Sequence, residues 1–426
     1  MSRRGETIRK LLVIILTALP FFLTGGANAQ VDPKAQPPQI NEESILLQEI
    51  PSVYSASKYE QKVTDAPSSV TIITSDEIKK YGYRTLADIL RSIRSFFVTY
   101  DRNYSYVGVR GFARPGDYNT RILLLLDGHR LNDNIYDSAL VGTEFILDVD
   151  LIDRVEIIRG PGSSLYGNNA FFAVVNVITK RGRDLKTLEV SGSAGSFDSY
   201  TGRLSYGNRF QNGLEALVSG TAYYSSGPGS LYFNDFDDPS TNNGTTQHTD
   251  YDRSLSGFGK FSFYDFSLQG AYITRTKGIP TASYGIDFND RGNKTTDTRG
   301  YLDLKYETTL DRQWDLTARL YYDSYKYQGD YLYSSVVNKD TSNGNWWGAE
   351  AKVITRVLDK HKIIVGAEYQ GNFKQDQENY DADPFFSYLD DARDSTLWAV
   401  YAQDELSIFK NLTLTAGMRH DHYSTF

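Results

Sequence analysis

Three groupings along this 426-residue chain carry the residue types that chemistry needs. The run Gly160-Pro161-Gly162-Ser163-Ser164-Leu165-Tyr166-Gly167 has the glycine density of a phosphate cradle. It lacks the Lys-Ser/Thr pair of a P-loop, however, and no helical pattern follows it. It reads instead as a tight irregular loop between two buried strands, where glycine supplies left-handed or closely approached backbone. The segment from Phe233 to Asn243 (FNDFDDPSTNN) offers the oxygen ligands that Ca²⁺ takes, and equally the composition of a solvated loop. His420 and His422 lie two apart on one strand face, but the pattern supplies no third ligand, so no metal site is expected. No Ser-His-Asp spacing or paired-carboxylate motif stands out, which points away from an enzyme, and no cofactor is expected. The chain has no Cys, excluding disulfides, thiolate metal sites and a lipid-anchored cysteine. Its net charge of −8 argues against a nucleic-acid partner, which would need a clustered basic face.

The elements that must position any site fall into distinct zones. Arg3, Arg4, Arg9 and Lys10 precede the apolar stretch Leu11 to Leu23, and Ala27-Asn28-Ala29 supplies small residues for cleavage before Gln30. These are the three parts of a secretory signal over residues 1–29. Residues 30–59 have little periodicity and read as a tail with short extended patches at Ser44 to Gln48 and Ile50 to Ala56. Residues 60–180 have an α+β pattern. Ser69 to Thr74 is a strand, Ser75 opens a helix, and Thr85 caps a second helix over Leu86 to Ile93. Arg121 to Gly128, Arg154 to Gly160 and Ala173 to Arg181 are strands apolar enough to be buried.

From about residue 186 the pattern changes to period two. Trp314, Leu316, Ala318, Leu320 and Tyr322 share one face; Asp315, Thr317, Arg319 and Asp323 share the other. Leu302, Leu304 and Tyr306 alternate with Asp303, Lys305 and Glu307 in the same way. A wall with lipid on one side and polar contents on the other has this alternation, and reads as hydrophilic on average. The excess of 32 Tyr and 22 Phe suits aromatic girdles at membrane interfaces. Eleven segments can be counted, at 187–195, 199–209, 213–225, 253–264, 265–277, 297–309, 312–328, 344–357, 362–374, 395–408 and 411–424. Short connections alternate with long polar loops near 226–252, 278–296, 329–343 and 375–394, so that with residue 180 on the periplasmic side every long loop falls outside the cell.

Leu151 to Lys180 (LIDRVEIIRGPGSSLYGNNAFFAVVNVITK) resembles the C-terminal signature of the plug domain of TonB-dependent outer-membrane receptors. Val109 to Phe112 (VRGF) and Leu124 to Asp133 (LLLDGHRLND) resemble two further plug motifs in the right order. The segment VYSASKYEQKVTDAPSSVTIITSDEI is similar to the family's run from TonB box into plug. Phe171-Phe172 departs from the small residues more usual there. The resemblance implies an α+β plug domain (60–180) followed by an antiparallel transmembrane β-barrel (from 181). About 22 strands are expected in such a plugged transporter. About half are counted here, so the chain is expected to hold the N-terminal half of the barrel.

The resemblance further implies import of a scarce, bulky nutrient of the ferric siderophore, haem or cobalamin class, across an outer membrane whose lipid surrounds the barrel. Energy would come from TonB, working with ExbB and ExbD in the inner membrane. The box-to-plug spacing places the TonB box at Ile50, Pro51, Ser52, Val53, Tyr54, Ser55 and Ala56, with Glu43 to Gln48 as a competitor because Pro51 and Tyr54 depart from the usual form. In the family, the plug arginines of the RGF and RGP motifs pair with barrel glutamates. That carries over to Arg110 and Arg159, with Glu368 and Glu405, on lumen faces, as the expected partners. Ligand contacts are expected from plug apices and outer loops, with Tyr104, Tyr106, Arg114 and Tyr118 as candidates, and Tyr232 and Phe233 beside them. A passive ligand-gated porin, a surface-binding protein that does not transport, or a non-functional fragment is the competing expectation.

Overall fold

The computed structural model describes residues 52–55, 58–62, 68–114, 116–160, 162–185, 187–311, 313–358, 360–409 and 412–425. The export segment at 1–29, the competing box at Glu43 to Gln48, and Ile50, Pro51 and Ala56 of the expected box lie outside the described residues.

The first elements are a short hairpin, β1 (Ser52–Val53) with β2 (Gln61–Lys62). A five-stranded sheet follows, ordered β3-β8-β9-β6-β7 from β3 (Ser69–Thr74), β6 (Ile122–Leu126), β7 (His129–Arg130), β8 (Ile152–Arg159) and β9 (Ala173–Thr179). β6 and β9 run parallel, the other neighbours antiparallel. Helices α1 (Ser75–Tyr81) and α2 (Leu86–Arg91) each begin with a capping box, Thr74 with Glu77 and Thr85 with Asp88, which satisfies backbone donors the first turn leaves open. The hairpin β4 (Phe96–Tyr100)/β5 (Ser105–Val109) stands beside this sheet. The glycine-rich loop contains a single helical turn, α3 (Ser163–Tyr166), bracketed by Gly160 at φ 125° and Gly167 at φ 73°. The expectation of a wholly irregular loop is corrected to that extent.

The continuous apolar run of β6 has a geometrical cause. Side chains alternate across a strand, so a strand covered on both faces must be apolar throughout. Ile122, Leu124 and Leu126 pack in one cluster with Leu86, Ile89 and Leu90 of α2. Leu123 and Leu125 pack in another with Ile354, Ile364 and Tyr401 of the large sheet.

After the one-turn helix α4 (Gly182–Leu185), the chain builds an antiparallel sheet. Its strands are β10 (Thr187–Gly195), β11 (Ser199–Arg209), β12 (Glu215–Ser225), β15 (Asp252–Phe263), β16 (Phe266–Gly278), β17 (Lys294–Leu310), β18 (Trp314–Tyr333), β19 (Val336–Val357), β20 (His361–Ala382), β22 (Ser395–Phe409) and β23 (Leu412–Tyr423). The small hairpin β13 (Ser230–Tyr232)/β14 (Thr245–Gln247) sits in an outer loop, and β21 (Phe385–Asp391) pairs back onto β20. The eleven segments read from the sequence all form strands in this sheet. Two connections differ from expectation. Residues 329–343 are not a long loop, because β18 and β19 continue until they meet at Ser334-Ser335. Both serines have positive φ, 51° and 67°, the twist a two-residue hairpin needs, here without the usual glycine or asparagine. Residues 375–394 are likewise mostly β20 and β21. The polarity of these extensions hid them, since the lipid-against-lumen contrast that reveals a strand fades there.

The plug packs on the face of the large sheet bearing Asp303, Arg319 and Glu350. The opposite face exposes Leu188, Leu204, Val218, Leu302, Leu320 and Val365. Apolar side chains left on the face away from the core are the signature of a wall whose outer solvent is hydrocarbon.

Candidate functional site

The short tail hairpin is held from both sides. On the plug side, the backbone N–H groups of Tyr54 and Ser55 donate to Oε2 of Glu156 at 3.0 and 2.9 Å, and the Ser55 hydroxyl donates to the same oxygen at 2.5 Å. Asn176 Nδ2 donates to Ser55 Oγ, and the Tyr166 hydroxyl donates to the Ser55 carbonyl, each at 2.8 Å. Glu156 is fully buried in β8, and its other oxygen accepts from Arg154. Charge-assisted bonds of this kind are about twice as strong as neutral ones. The signal for these two residues is in the sequence: Glu156 interrupts the apolar run from Val155 to Ile158 and Asn176 the run from Ala173 to Ile178, and a polar group in such a place must have a partner.

On the barrel side, the Lys58 ammonium bridges Glu350 of β19 and Glu368 of β20, at 2.8 Å to each. These two glutamates lie directly opposite across the strand pair, so Lys58 offsets their repulsion. Lys58 also stands over the rings of Tyr401 and Tyr166, at 4.6 and 5.1 Å. Burial disfavours its charge, but the two carboxylates override burial and hold the group well above the ordinary lysine value. Lys352 donates to the Tyr54 hydroxyl at 3.1 Å, and the Tyr59 hydroxyl donates to Glu405 at 2.6 Å. Tyr54, Lys58 and Tyr59 thereby form one wall of a polar cavity of about 680 Å³ between plug and barrel, lined also by Lys260, Asp303 and Lys305.

The expected pairing of plug arginines with Glu368 and Glu405 is replaced. Arg110 donates to the Arg159 carbonyl, and Arg159 donates to Ser69, Thr71 and the Arg94 carbonyl. The β3–β8 register sets Arg159 opposite Ser69, on the plug face that also carries exposed Phe112 and Phe171. Among the described residues no barrel strand covers that face. Glu368 is satisfied by Lys58 and Arg419, and Glu405 by Tyr59 and Gln403. Lys58, Glu156 and Glu350 are the residues that the sequence reading missed.

Further plug–barrel contacts are ionic. Asp127 of the Asp-Gly turn pairs with Lys260 at 2.9 Å and accepts from Thr179. Burial raises its pKa, but Lys260 and the hydrogen bonds hold it below the ordinary value. His129 meets Asp323, which also binds Arg299. Arg275, 1 % exposed, sits among Asp252, Glu144 and Asp297 and donates to Asn103 at the plug apex.

The candidate tyrosines Tyr104, Tyr106 and Tyr118 lie together at the same apex. The Tyr104 and Tyr106 rings pack on Tyr118, at 5.5 and 5.8 Å between centroids. The Tyr104 hydroxyl donates to Asp297, that of Tyr106 to Asp101, and that of Tyr118 meets Tyr284 of the 279–293 loop at 3.1 Å. Arg114 is exposed and has no side-chain partner among the described residues. Tyr232 bonds Asp237 within its own loop, and Phe233 packs on Phe288.

A folded plug tied by ion pairs to the polar face of an antiparallel sheet, whose other face is apolar, defines the class of plugged β-barrel membrane proteins. Residues 62–174 match the TonB-dependent receptor plug domain, and residues 235–426 match the TonB-dependent receptor-like β-barrel. The chain belongs to the TonB-dependent receptor family. It is 33 % identical over 172 residues to the vitamin B12 transporter BtuB of Vibrio vulnificus, covering 39 % of this chain and 27 % of that protein. It is 29 % identical over 133 residues to an iron-regulated outer membrane virulence protein of Vibrio cholerae, covering 30 % of this chain and 20 % of that one. Among solved structures, the ferric yersiniabactin uptake receptor FyuA of Yersinia pestis superposes with a TM-score of 0.63 at 18 % identity, covering 84 % of this chain and 56 % of that chain. The ferripyoverdine receptor of Pseudomonas aeruginosa gives 0.66 at 13 % identity, covering 88 % and 54 %. The chain thus spans under a third of the curated relatives and little over half of these structures.

Proposed function

We propose that this chain acts as an outer-membrane receptor that imports a scarce, bulky nutrient of the ferric siderophore, haem or cobalamin class. Energy is transmitted by TonB with ExbB and ExbD, and the chain reaches the membrane through a cleaved export signal at 1–29. The observation that carries the reading is the tail: a short hairpin, extended at Ser52–Val53, lies between plug and barrel, and its Tyr54, Lys58 and Tyr59 form the wall of a cavity there. An extended segment is what a partner captures by strand addition, where main-chain hydrogen bonds supply affinity. Pulling Ser55 off Glu156 and Lys58 off Glu350 and Glu368 would take that wall away and loosen the plug. A partner drawing on the inner membrane can thus open a path in a membrane that holds no energy source of its own.

The test is deletion of residues 43–56, followed by measurement of ligand binding and uptake in cells. Energised import predicts that surface binding persists and accumulation stops. Accumulation at the wild-type rate would establish the passive porin instead.

A further inference from the structure

The outer vestibule has a charge character that narrows the ligand, given the receptor reading above. At plug-facing positions of β18 from 325 to 333, every alternate residue is tyrosine except Gly329. The register sets Tyr327 beside Ser342 and Gly329 beside Asp340, and the Tyr136 hydroxyl of the plug meets Ser342 at 2.6 Å, which fixes this as the inner face. The matching positions Asn338, Asp340 and Ser342 of β19 and Gln375, Gln377, Asn379 and Asp381 of β20 are hydroxyl or amide residues apart from the two aspartates. Asn338 donates to both Asn379 and Asp381. The floor is Tyr104, Tyr106 and Tyr118, and a continuous chain of contacts runs from Tyr118 through Tyr284 and Tyr331 to Tyr327.

Among the described residues, five cations near this vestibule are held by carboxylates. Lys277 and Arg102 share Asp250, Arg275 is ringed by three carboxylates, and Lys294 and Lys339 share Asp330. Arg114, and Arg291 of the 279–293 loop, are exposed cations without a carboxylate partner among the described residues. A polyanionic chelate entering here would shed hydration against tyrosine and amide groups, and would meet Asp340 and Asp381 without several free cations to replace its water. A neutral or cationic ligand with hydroxyl, amide or aromatic groups would find hydrogen-bond partners and stacking faces.

We propose that the tyrosine–amide vestibule takes ligands of zero or positive net charge, of the hydroxamate-chelate or corrinoid kind, and discriminates against polyanionic chelates of the triscatecholate kind. The test titrates the full chain in detergent, by tryptophan and tyrosine fluorescence, with four probes: a neutral ferric trishydroxamate, a cationic ferric trishydroxamate, cyanocobalamin and a trianionic ferric triscatecholate. The expected result is that at least one of the first three binds ten times or more tighter than the triscatecholate. Asp340→Lys should weaken a cationic probe about tenfold and leave a neutral probe within about twofold, because one charge beside the ligand is reversed. Triscatecholate binding as tight as any other probe overturns the proposal while leaving the receptor reading intact, as does binding of none of the four. The receptor reading fails separately, if the deletion of residues 43–56 leaves accumulation unchanged.

Discussion

Replacing Glu156 by Gln should free the tail without unfolding the plug. The carboxylate accepts from Tyr54 N–H, Ser55 N–H and the Ser55 hydroxyl at 2.5–3.0 Å, all buried or nearly so. A hydrogen bond to a charged group contributes about 1.5–3 kcal/mol net and a neutral one about 0.5–1.5 kcal/mol, so the amide forfeits about 1 kcal/mol per bond. Three bonds give about 3 kcal/mol, or roughly a hundredfold rise in the population with the tail released. Hydrogen exchange followed by mass spectrometry on residues 52–62 reads that population in the full chain. Titration with the C-terminal domain of TonB reads it independently, since a partner that needs the released tail gains affinity by the same factor. Glu156→Gln is close to isosteric, so the surrounding core of Val155 and Ile157 should persist. Tail exchange within about threefold of the parent, in a plug with unchanged thermal stability, would refute the assignment of Glu156 as the holding group.

Lys58→Met should destabilise plug docking by about 3–5 kcal/mol, because Glu350 and Glu368 are left facing each other without their shared cation. Thermal unfolding should show recovery of most of that loss when Glu350→Gln and Glu368→Gln are added; no recovery would mean the lysine acts through packing alone. Asp127 has a folded-state pKa below its ordinary value of 3.8, so its contribution is present above that value and is lost as pH falls through the lower, folded one. Asp127→Asn should therefore lower stability at neutral pH and flatten the acid limb of the stability curve below about pH 4, measured by denaturant titration across pH. Leu302→Arg, on the exposed outer face of β17, should cost about 2–4 kcal/mol in lipid if that face lies near the bilayer centre. Folding yield into vesicles checks it, and a yield equal to that of the parent would place Leu302 outside the hydrocarbon.

Amphipathic strands were legible because their two solvents differ. Leu302 against Asp303 and Leu320 against Arg319 need no partner strand to declare their faces, and the run Ile122 to Leu126 declares a strand covered twice. The extensions of β18, β19 and β20 were not legible, since both faces are polar there and Ser334-Ser335 carries no glycine to mark the turn. The plug motifs likewise located Arg110 and Arg159, but not what they touch.

The sequence by itself determined the order of parts, the buried strands of the plug, the two faces of the wall and the family resemblance, because each rests on local spacing and side-chain polarity. Only the tertiary structure decided that Glu156 holds Ser55, that Lys58 bridges Glu350 and Glu368, and that Arg159 turns to Ser69. Those partners lie about 100 to 300 residues apart in the chain, and a buried charge records only that a partner must exist. Which partner it is depends on how the plug is set against the wall.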